Sequence, residues 1–283
     1  MSPTWQSADL PDLPPITAVG HARAGLRAIG VVLLLVLGTV VTLMCRGVER
    51  VFFNPRRPLS APVVQYVWRA TLKLIGLSRI VEGPRPIQRE AVWQAIVANH
   101  VSWLDIIALG AAQPVVFVSK ADVARWPIIG ALARMVGTVF ITRNPRDAAA
   151  QQDQLAEALD EGHVLTFFPE GTSTDGLRVL PFKSTLMSAF YKNGTSLDAV
   201  IQPVSVIYSA PEKLGEARFY GWWGDMALAP HLWRVLSQAP QGNVTLRRHE
   251  PVVISAFPDR KALSHALERA VRQGMPPDRR ASR

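Results

Sequence analysis

The chain opens on one long apolar stretch and then settles into alternating short ones. From Ala28 to Cys45, AIGVVLLLVLGTVVTLMC runs for 18 residues without a charge, and only Thr39 and Thr42 soften it. As a helix it would measure ~27 Å, close to the ~30 Å of a bilayer's hydrocarbon core. A buried core helix should show a polar face, and a removable signal should be followed by a small-residue cleavage site. Neither is evident, so the run reads as a retained anchor, with a monotopic hairpin as the alternative. Two basic residues precede it (Arg23, Arg27) and six follow within thirty residues (Arg46, Arg50, Arg56, Arg57, Arg69, Lys73), which places the bulk of the chain on the cytoplasmic side of an inner membrane. Ala61 to Leu77 mixes Val63, Val64, Val67, Leu72, Leu74 and Ile75 with Arg69 and Lys73, as an interfacial amphipathic helix with its cations reaching toward lipid phosphates would, or an ordinary surface helix of the domain.

From about Gln88 the period changes. Apolar β-rich runs at Ala95–Asn99, Val115–Lys120, Thr138–Arg143, Val164–Phe168 and Ile201–Tyr208 alternate with helical patterns at Trp103–Ala112, Ile128–Val136, Asp147–Leu159 and Lys183–Lys192. Strands separated by helices at this spacing predict an α/β domain with a mostly parallel central sheet flanked by helices. The expected organisation is a tail over 1–27, an anchor helix over 28–45, a basic amphipathic segment over 46–80, one α/β domain over 81–273 and a frayed basic tail over 274–283.

Composition sharpens this picture. With 283 residues, 48% hydrophobic and 19% charged, the chain is too apolar for disorder and long enough for a substantial core. Its mean hydropathy is +0.13. Cys45 is the single cysteine, so neither an internal disulfide nor a cysteine-built zinc site can form. A formal charge of +9 suits an anionic partner. The basic residues gather near the apolar run, which favours anionic membrane lipids over nucleic acid.

Ligands of open α/β sheets sit beyond the carboxyl ends of the strands, and three strand ends here carry reactive or polar residues. In NHVSWLD (99–105), His100 follows a strand and Asp105 lies in the first turn of the next helix. The carboxylate can fix one ring nitrogen and leave the other as a base, or the pair can be a helix cap with an incidental histidine. In GTVFITRN (137–144), Arg143 stands past a strand end, where its guanidinium can fork onto a phosphate or simply face solvent. In FPEGTSTDG (168–176), Glu170 offers an acceptor and Gly171 allows close backbone approach, while a plain turn would use the same residue types.

Taken together and in this order, the three blocks resemble the glycerolipid acyltransferase family that includes the 1-acylglycerol-3-phosphate acyltransferases. A fourth, Val200-Ile201-Gln202-Pro203-Val204, matches that family's apolar run through proline. The resemblance spans Ala91 to Tyr208. It implies that His100 and Asp105 are catalytic, that Arg143 binds phosphate, and that Glu170, Gly171 and Thr172 belong to the acceptor site. One departure stands out. Where the common third block reads F-P-E-G-T-R-S, its arginine on the acceptor phosphate, this chain has Ser173, and Arg178 and Lys183 downstream are the candidates to supply the lost charge, with Lys183 expected in the acceptor site. A T-S-T-D-G run with P-F-K after it, and the stretch from Trp222 to Trp233, look like the lyso-ornithine lipid acyltransferase branch.

The expectation is an O-acyltransferase in which His100, oriented by Asp105, deprotonates a lysolipid hydroxyl as it attacks an acyl thioester. Acyl carrier protein or coenzyme A would supply the thioester, with no metal and no other cofactor. Backbone amides after His100 or near Gly171 are the candidate oxyanion donors. The intact block around Arg143 leans the acceptor toward 1-acyl-sn-glycerol-3-phosphate, with a lyso-ornithine lipid as the alternative. A non-catalytic membrane-binding module would leave His100, Asp105 and Glu170 without a role. No G-x-S-x-G elbow and no glycine-rich nucleotide loop is present.

Overall fold

A computed structural model describes residues 5, 9–53, 57–85, 93–127, 129–142, 148–192, 195–196 and 198–280. In chain order the elements are α1 (Ala18–Phe52), α2 (Ser60–Ile75), β1 (Ser78–Glu82), β2 (Trp93–Ala98), α3 (Leu104–Ala112), β3 (Val116–Lys120), α4 (Ile129–Met135), β4 (Val139–Ile141), α5 (Ala148–Asp160) and β5 (Leu165–Phe167). A small hairpin of β6 (Tyr191–Lys192) and β7 (Thr195–Ser196) follows, then β8 (Ala199–Ser209), α6 (Leu228–Ser237), β9 (Asn243–Arg248), β10 (Val252–Val253) and α7 (Arg260–Gly274).

The main sheet runs β1-β9-β8-β2-β5-β3-β4, with β10 against β8. Every pair from β8 through β2, β5 and β3 to β4 is parallel; β9 is antiparallel to β8, as is β10. The sheet is therefore mixed and mostly parallel. Side-chain alternation divides its two faces. In β2, Ile96 and Ala98 join a core built with α2, α3 and α6, while Ala95 and Val97 join one built with α5 and α7. Covered on both faces, β8 is buried at every position but its last.

Three expectations are corrected. The pattern over Lys183–Lys192 forms a short 3₁₀ helix, Ser184–Phe190, and then a strand, where a helix was predicted. The C-terminal segment is not frayed at its start: Met275 is fully buried and Arg279 donates to the Tyr208 carbonyl at 3.0 Å. The apolar run is only the middle of α1, which extends over 35 residues because its flanking arginines find acceptors on the domain. Arg23 bonds the carbonyl of Ser237, Arg27 those of Leu236 and Gln238, and Arg46 that of Met135.

These contacts lie near both ends of the helix, so α1 rests along the domain surface. One stripe of it, Gly20, Ala24, Gly38, Thr42 and Glu49, faces inward. The stripe is built from small residues because α2 comes close: a Cβ on Gly38 would sit 2.5 Å from Val67 Cγ2. Glu49 then staples the turn into α2, accepting from the amides of Leu59 and Ser60 and from Ser60 Oγ. The other faces, from Val19 through Leu33, Leu37 and Met44 to Phe52, stay exposed. Arg69, expected at lipid phosphates, instead closes the end of α3 by donating to the Ala111 carbonyl at 2.9 Å.

Candidate active site

The carboxyl ends of β2, β5 and β8 converge, and the chain leaving each contributes to one cluster. At the end of β2, where backbone pairing to β8 stops at Ala98–Val204, Asn99 continues it with its side chain. Its Nδ2 donates to the Val206 carbonyl at 2.9 Å and its Oδ1 accepts from the Val206 amide at 2.7 Å. This clamp launches His100 off the sheet edge at a fixed angle.

The His100 main chain is held from two sides. Its amide donates to Glu170 Oε1 at 2.7 Å, and its carbonyl accepts from the Thr174 amide at 2.9 Å and from Thr174 Oγ1 at 3.2 Å. Its ring stacks on Phe168, centroids 4.2 Å apart and planes 17° apart. Nδ1 lies 2.7 Å from Asp105 Oδ2. The imidazole is 21% exposed and Asp105 not at all. The same Oδ2 accepts from the amides of Val101 and Ser102, and Oδ1 accepts from the Tyr208 hydroxyl at 2.8 Å. With four donors around it, Asp105 is oriented as well as buried. An ionised carboxylate opposite Nδ1 keeps the proton there and leaves the Nε2 lone pair on the accessible side of the ring. Burial, and then the neighbouring Asp105, raise the Tyr208 phenol well above its ordinary value, so it remains a donor.

The structure assigns Glu170 a different place from the one expected. It is 1% exposed, and Oε2 accepts from the Leu180 amide at 2.8 Å while Oε1 holds His100. Burial pushes its carboxyl up to about 8, against the downward pull of those two amides. Both oxygens being engaged inside the protein, Glu170 ties the loop after β5 to the loop after β2 and does not face an acceptor. Gly171 has φ +71°, and a Cβ there would lie 2.8 Å from Lys183 Nζ, so the glycine both permits the turn and leaves room for the ammonium. Gly171 and Lys183 thus come together in the loop that follows Glu170. Arg143 lies outside the described residues.

The expected oxyanion donors are largely committed elsewhere. The Val101 and Ser102 amides serve Asp105, and the Gly171 amide donates to the Phe168 carbonyl at 3.0 Å. Ser173 is 8% exposed and its Oγ donates to the Trp222 carbonyl. The Trp222 amide in turn donates to Val101 O, which locks the loop after β8 onto the His100 segment. Arg178, one candidate for the missing phosphate-reading arginine, forks onto Asp175 at 3.1 and 3.3 Å and covers the Trp5 ring. Beside the site, Trp103 donates to His231 Nδ1 at 3.0 Å; burial depresses that imidazole to about 4 and keeps it a neutral acceptor.

Sequence reasoning passed over Tyr208 and Phe168, which read there only as apolar strand residues. The signal for Tyr208 was its position: a phenol at the end of a run buried on both faces needs a hydrogen-bond partner.

An α/β sheet with an aspartate-oriented histidine at a strand end is the arrangement of a general-base enzyme, and the helix laid along its flank is long and apolar enough to cross or meet a membrane. The family model for Acyltransferase matches residues 79–207. The lyso-ornithine lipid O-acyltransferase of Rhodobacter capsulatus is 48% identical over 274 residues, covering 96% of this chain and 97% of that one. The 1-acyl-sn-glycerol-3-phosphate acyltransferase of Neisseria meningitidis is 32% identical over 207 residues, 72% of this chain and 77% of its own. The crystal structure of the 1-acyl-sn-glycerophosphate acyltransferase PlsC from Thermotoga maritima shares the fold, with a TM-score of 0.53 at 23% identity over 88% of this chain and 95% of that one. The chain belongs to the acyltransferase family that holds these enzymes, and it is an acyltransferase.

Proposed function

We propose that this enzyme moves a fatty acyl group from an acyl thioester of acyl carrier protein or coenzyme A to the hydroxyl of a lyso-ornithine lipid at a membrane surface. His100 Nε2 takes the hydroxyl proton as that oxygen bonds to the thioester carbonyl carbon. The tetrahedral intermediate collapses by breaking the C–S bond, and the imidazolium returns the proton to the leaving thiolate. Asp105 holds the tautomer and balances the transient positive charge. Glu170 positions His100 through its amide, and Lys183 with Gly171 and Thr172 lines the acceptor side.

The observation that carries the acceptor is Ser173. An arginine at this position would have to occupy a nearly closed space whose hydroxyl now serves Trp222, and nearby Arg178 is neutralised by Asp175. A headgroup carrying its own ammonium needs fewer protein cations than a phosphate monoester does. The near full-length likeness to the Rhodobacter capsulatus enzyme supports the same reading. A second reading, 1-acyl-sn-glycerol-3-phosphate as acceptor, draws on the GTVFITR block with Arg143 and on the Neisseria meningitidis relative. The test presents lyso-ornithine lipid and 1-acyl-sn-glycerol-3-phosphate, separately and in competition, to the purified full chain with one acyl thioester. A higher kcat/KM for the lyso-ornithine lipid is expected; the reverse order assigns the phosphate acceptor.

The membrane reading follows from α1. Both of its ends touch the same domain, which supports a helix lying in the plane of one leaflet with its outer face immersed; the excess of basic residues after the apolar run supports an inner-membrane setting with the site on the cytoplasmic side. Anionic lipids meet the remaining basic residues at that surface.

A further inference from the structure

At the opposite end of the strands from His100 lies a second concavity of about 480 Å³. Gln94 at the start of β2, Val115 and Val116 at the start of β3, and Val164 just before β5 line its floor. Counting from Gln94 to His100 along the strand, the two places are ~20 Å apart. Its walls are mainly apolar, with Val64 and Trp68 of α2 facing Val136, and its size falls within the range of lipid and cofactor sites.

One end of the cleft is different. Arg46, near the end of α1, and Arg57, just before α2, both line it, and Glu161 is the one carboxylate among its described lining residues. Arg57 meets Glu161 only at 3.8 Å. Arg46 donates from Nη2 to the Met135 carbonyl, while its Nε is buried without a partner among the described residues. Glu49, the other nearby acid, has its oxygens taken by Leu59 and Ser60. Burial, followed by the charge of Arg46, lowers the Arg57 guanidinium, and His163 beside them is depressed to about 4 by burial and then by both arginines. Among the residues that line the cleft, two guanidiniums thus share one carboxylate, with the charge of Glu49 behind them outside the lining. An anion set between them would relieve that repulsion and satisfy the idle donor.

The location identifies where the anion comes from. Val48, Val51 and Phe52, on the turns of α1 that carry Arg46, are exposed, on the face that the membrane position proposed above would immerse. We propose that this cleft is a second lipid site, separate from the acyl-transfer site, which takes an acyl chain with an anionic headgroup: the head between Arg46 and Arg57, the chain along Val64, Trp68 and Val136. It does not depend on which lysolipid His100 acylates. A free fatty acid and a phosphate-headed lipid share this chemistry.

A diazirine-bearing palmitic acid, photolysed on the full-length protein in detergent and mapped by mass spectrometry, tests the site. Label is expected in the segments around 57–68 and 110–116. Unlabelled palmitate should displace it, and dipalmitoyl phosphatidic acid should too if the occupant is a phospholipid; competition by palmitate alone identifies a free acid. Dipalmitoyl phosphatidylcholine, whose headgroup carries no net charge, should not compete. Arg46→Gln with Arg57→Gln should lower labelling about tenfold, the loss of a charged hydrogen bond. Val64→Trp, which fills the cleft, should lower it at least as much. Label confined to peptides around His100 and Glu170, equal competition by phosphatidylcholine, or undiminished labelling of a folded Val64→Trp protein would each overturn the proposal. Mapping and competition on the wild type decide the matter even where a variant fails to fold.

Discussion

Replacing Tyr208 with phenylalanine removes a single oxygen from the interior and leaves everything else in place. The ring would keep its packing against Tyr220, 5.3 Å away, and its main chain would keep the bond from Arg279. What disappears is the donor to Asp105 Oδ1, in a place no water reaches, since both residues are buried. A hydrogen bond to a charged group contributes about 1.5–3 kcal/mol, and the orphaned oxygen forfeits its hydration as well. Two consequences follow. The domain should lose stability by an amount of that order, read as a lower denaturation midpoint at unchanged m-value. The carboxylate, held now only through Oδ2, should orient His100 less well, lowering kcat by roughly tenfold or more with KM little altered, because the acceptor never touches Tyr208. The assay is steady-state transfer from an acyl thioester across pH 5–9 on folded variant protein. A Tyr208→Phe enzyme with wild-type kcat would refute a positioning role, whatever its stability.

The other predictions concern the struts around this centre and the helix outside it. Glu170→Gln should lower kcat more than it raises KM, since the amide cannot accept from both the His100 and Leu180 amides; equal activity would remove Glu170 from the mechanism. Its ordinary value of 4.5 rises to about 8 on folding, so the unfolded chain releases this proton first. The Glu170 contribution therefore makes wild-type stability fall as pH rises from about 4.5 to 8, and melting curves of Glu170→Gln should lack that decline. Asp105→Asn should cost nearly as much activity as His100→Ala, the amide favouring the wrong tautomer, as a thioester assay of both variants will report. Gly38→Leu should cost about 1–3 kcal/mol by driving a side chain into Val67, seen as a lower Tm. Leu33→Lys with Leu37→Lys, on the exposed face of α1, should leave the Tm unchanged and weaken binding to vesicles.

Much of this was written locally. Period-two and helical runs located β2, β3, β4, β5 and β8 to within about two residues, because each is a short apolar segment bounded by polar or turn residues. The spacing of His100 and Asp105 allowed a pair, since five residues across a strand-to-helix junction can bring a ring back over the first helical turn, but a helix cap with an incidental histidine fitted the same residues until the fold set Nδ1 against Asp105 Oδ2. What the sequence could not show was which partners the intervening polar groups would choose. FPEGTSTDG has the composition of a turn whether Glu170 points outward or inward; only the meeting of the β2 and β5 ends places two amides around its carboxyl. The flanking arginines of α1 read as charges that end an apolar helix, yet carbonyls of α6 and α4, far away in the chain, let the helix run through them. Tyr208 is one more apolar position in an apolar strand until the parallel pairing of β8 with β2 sets its hydroxyl against Asp105. Local pattern determines which segments are buried, because burial scales with apolar area; which buried polar group satisfies which other is decided only when distant strand ends are brought within hydrogen-bonding distance.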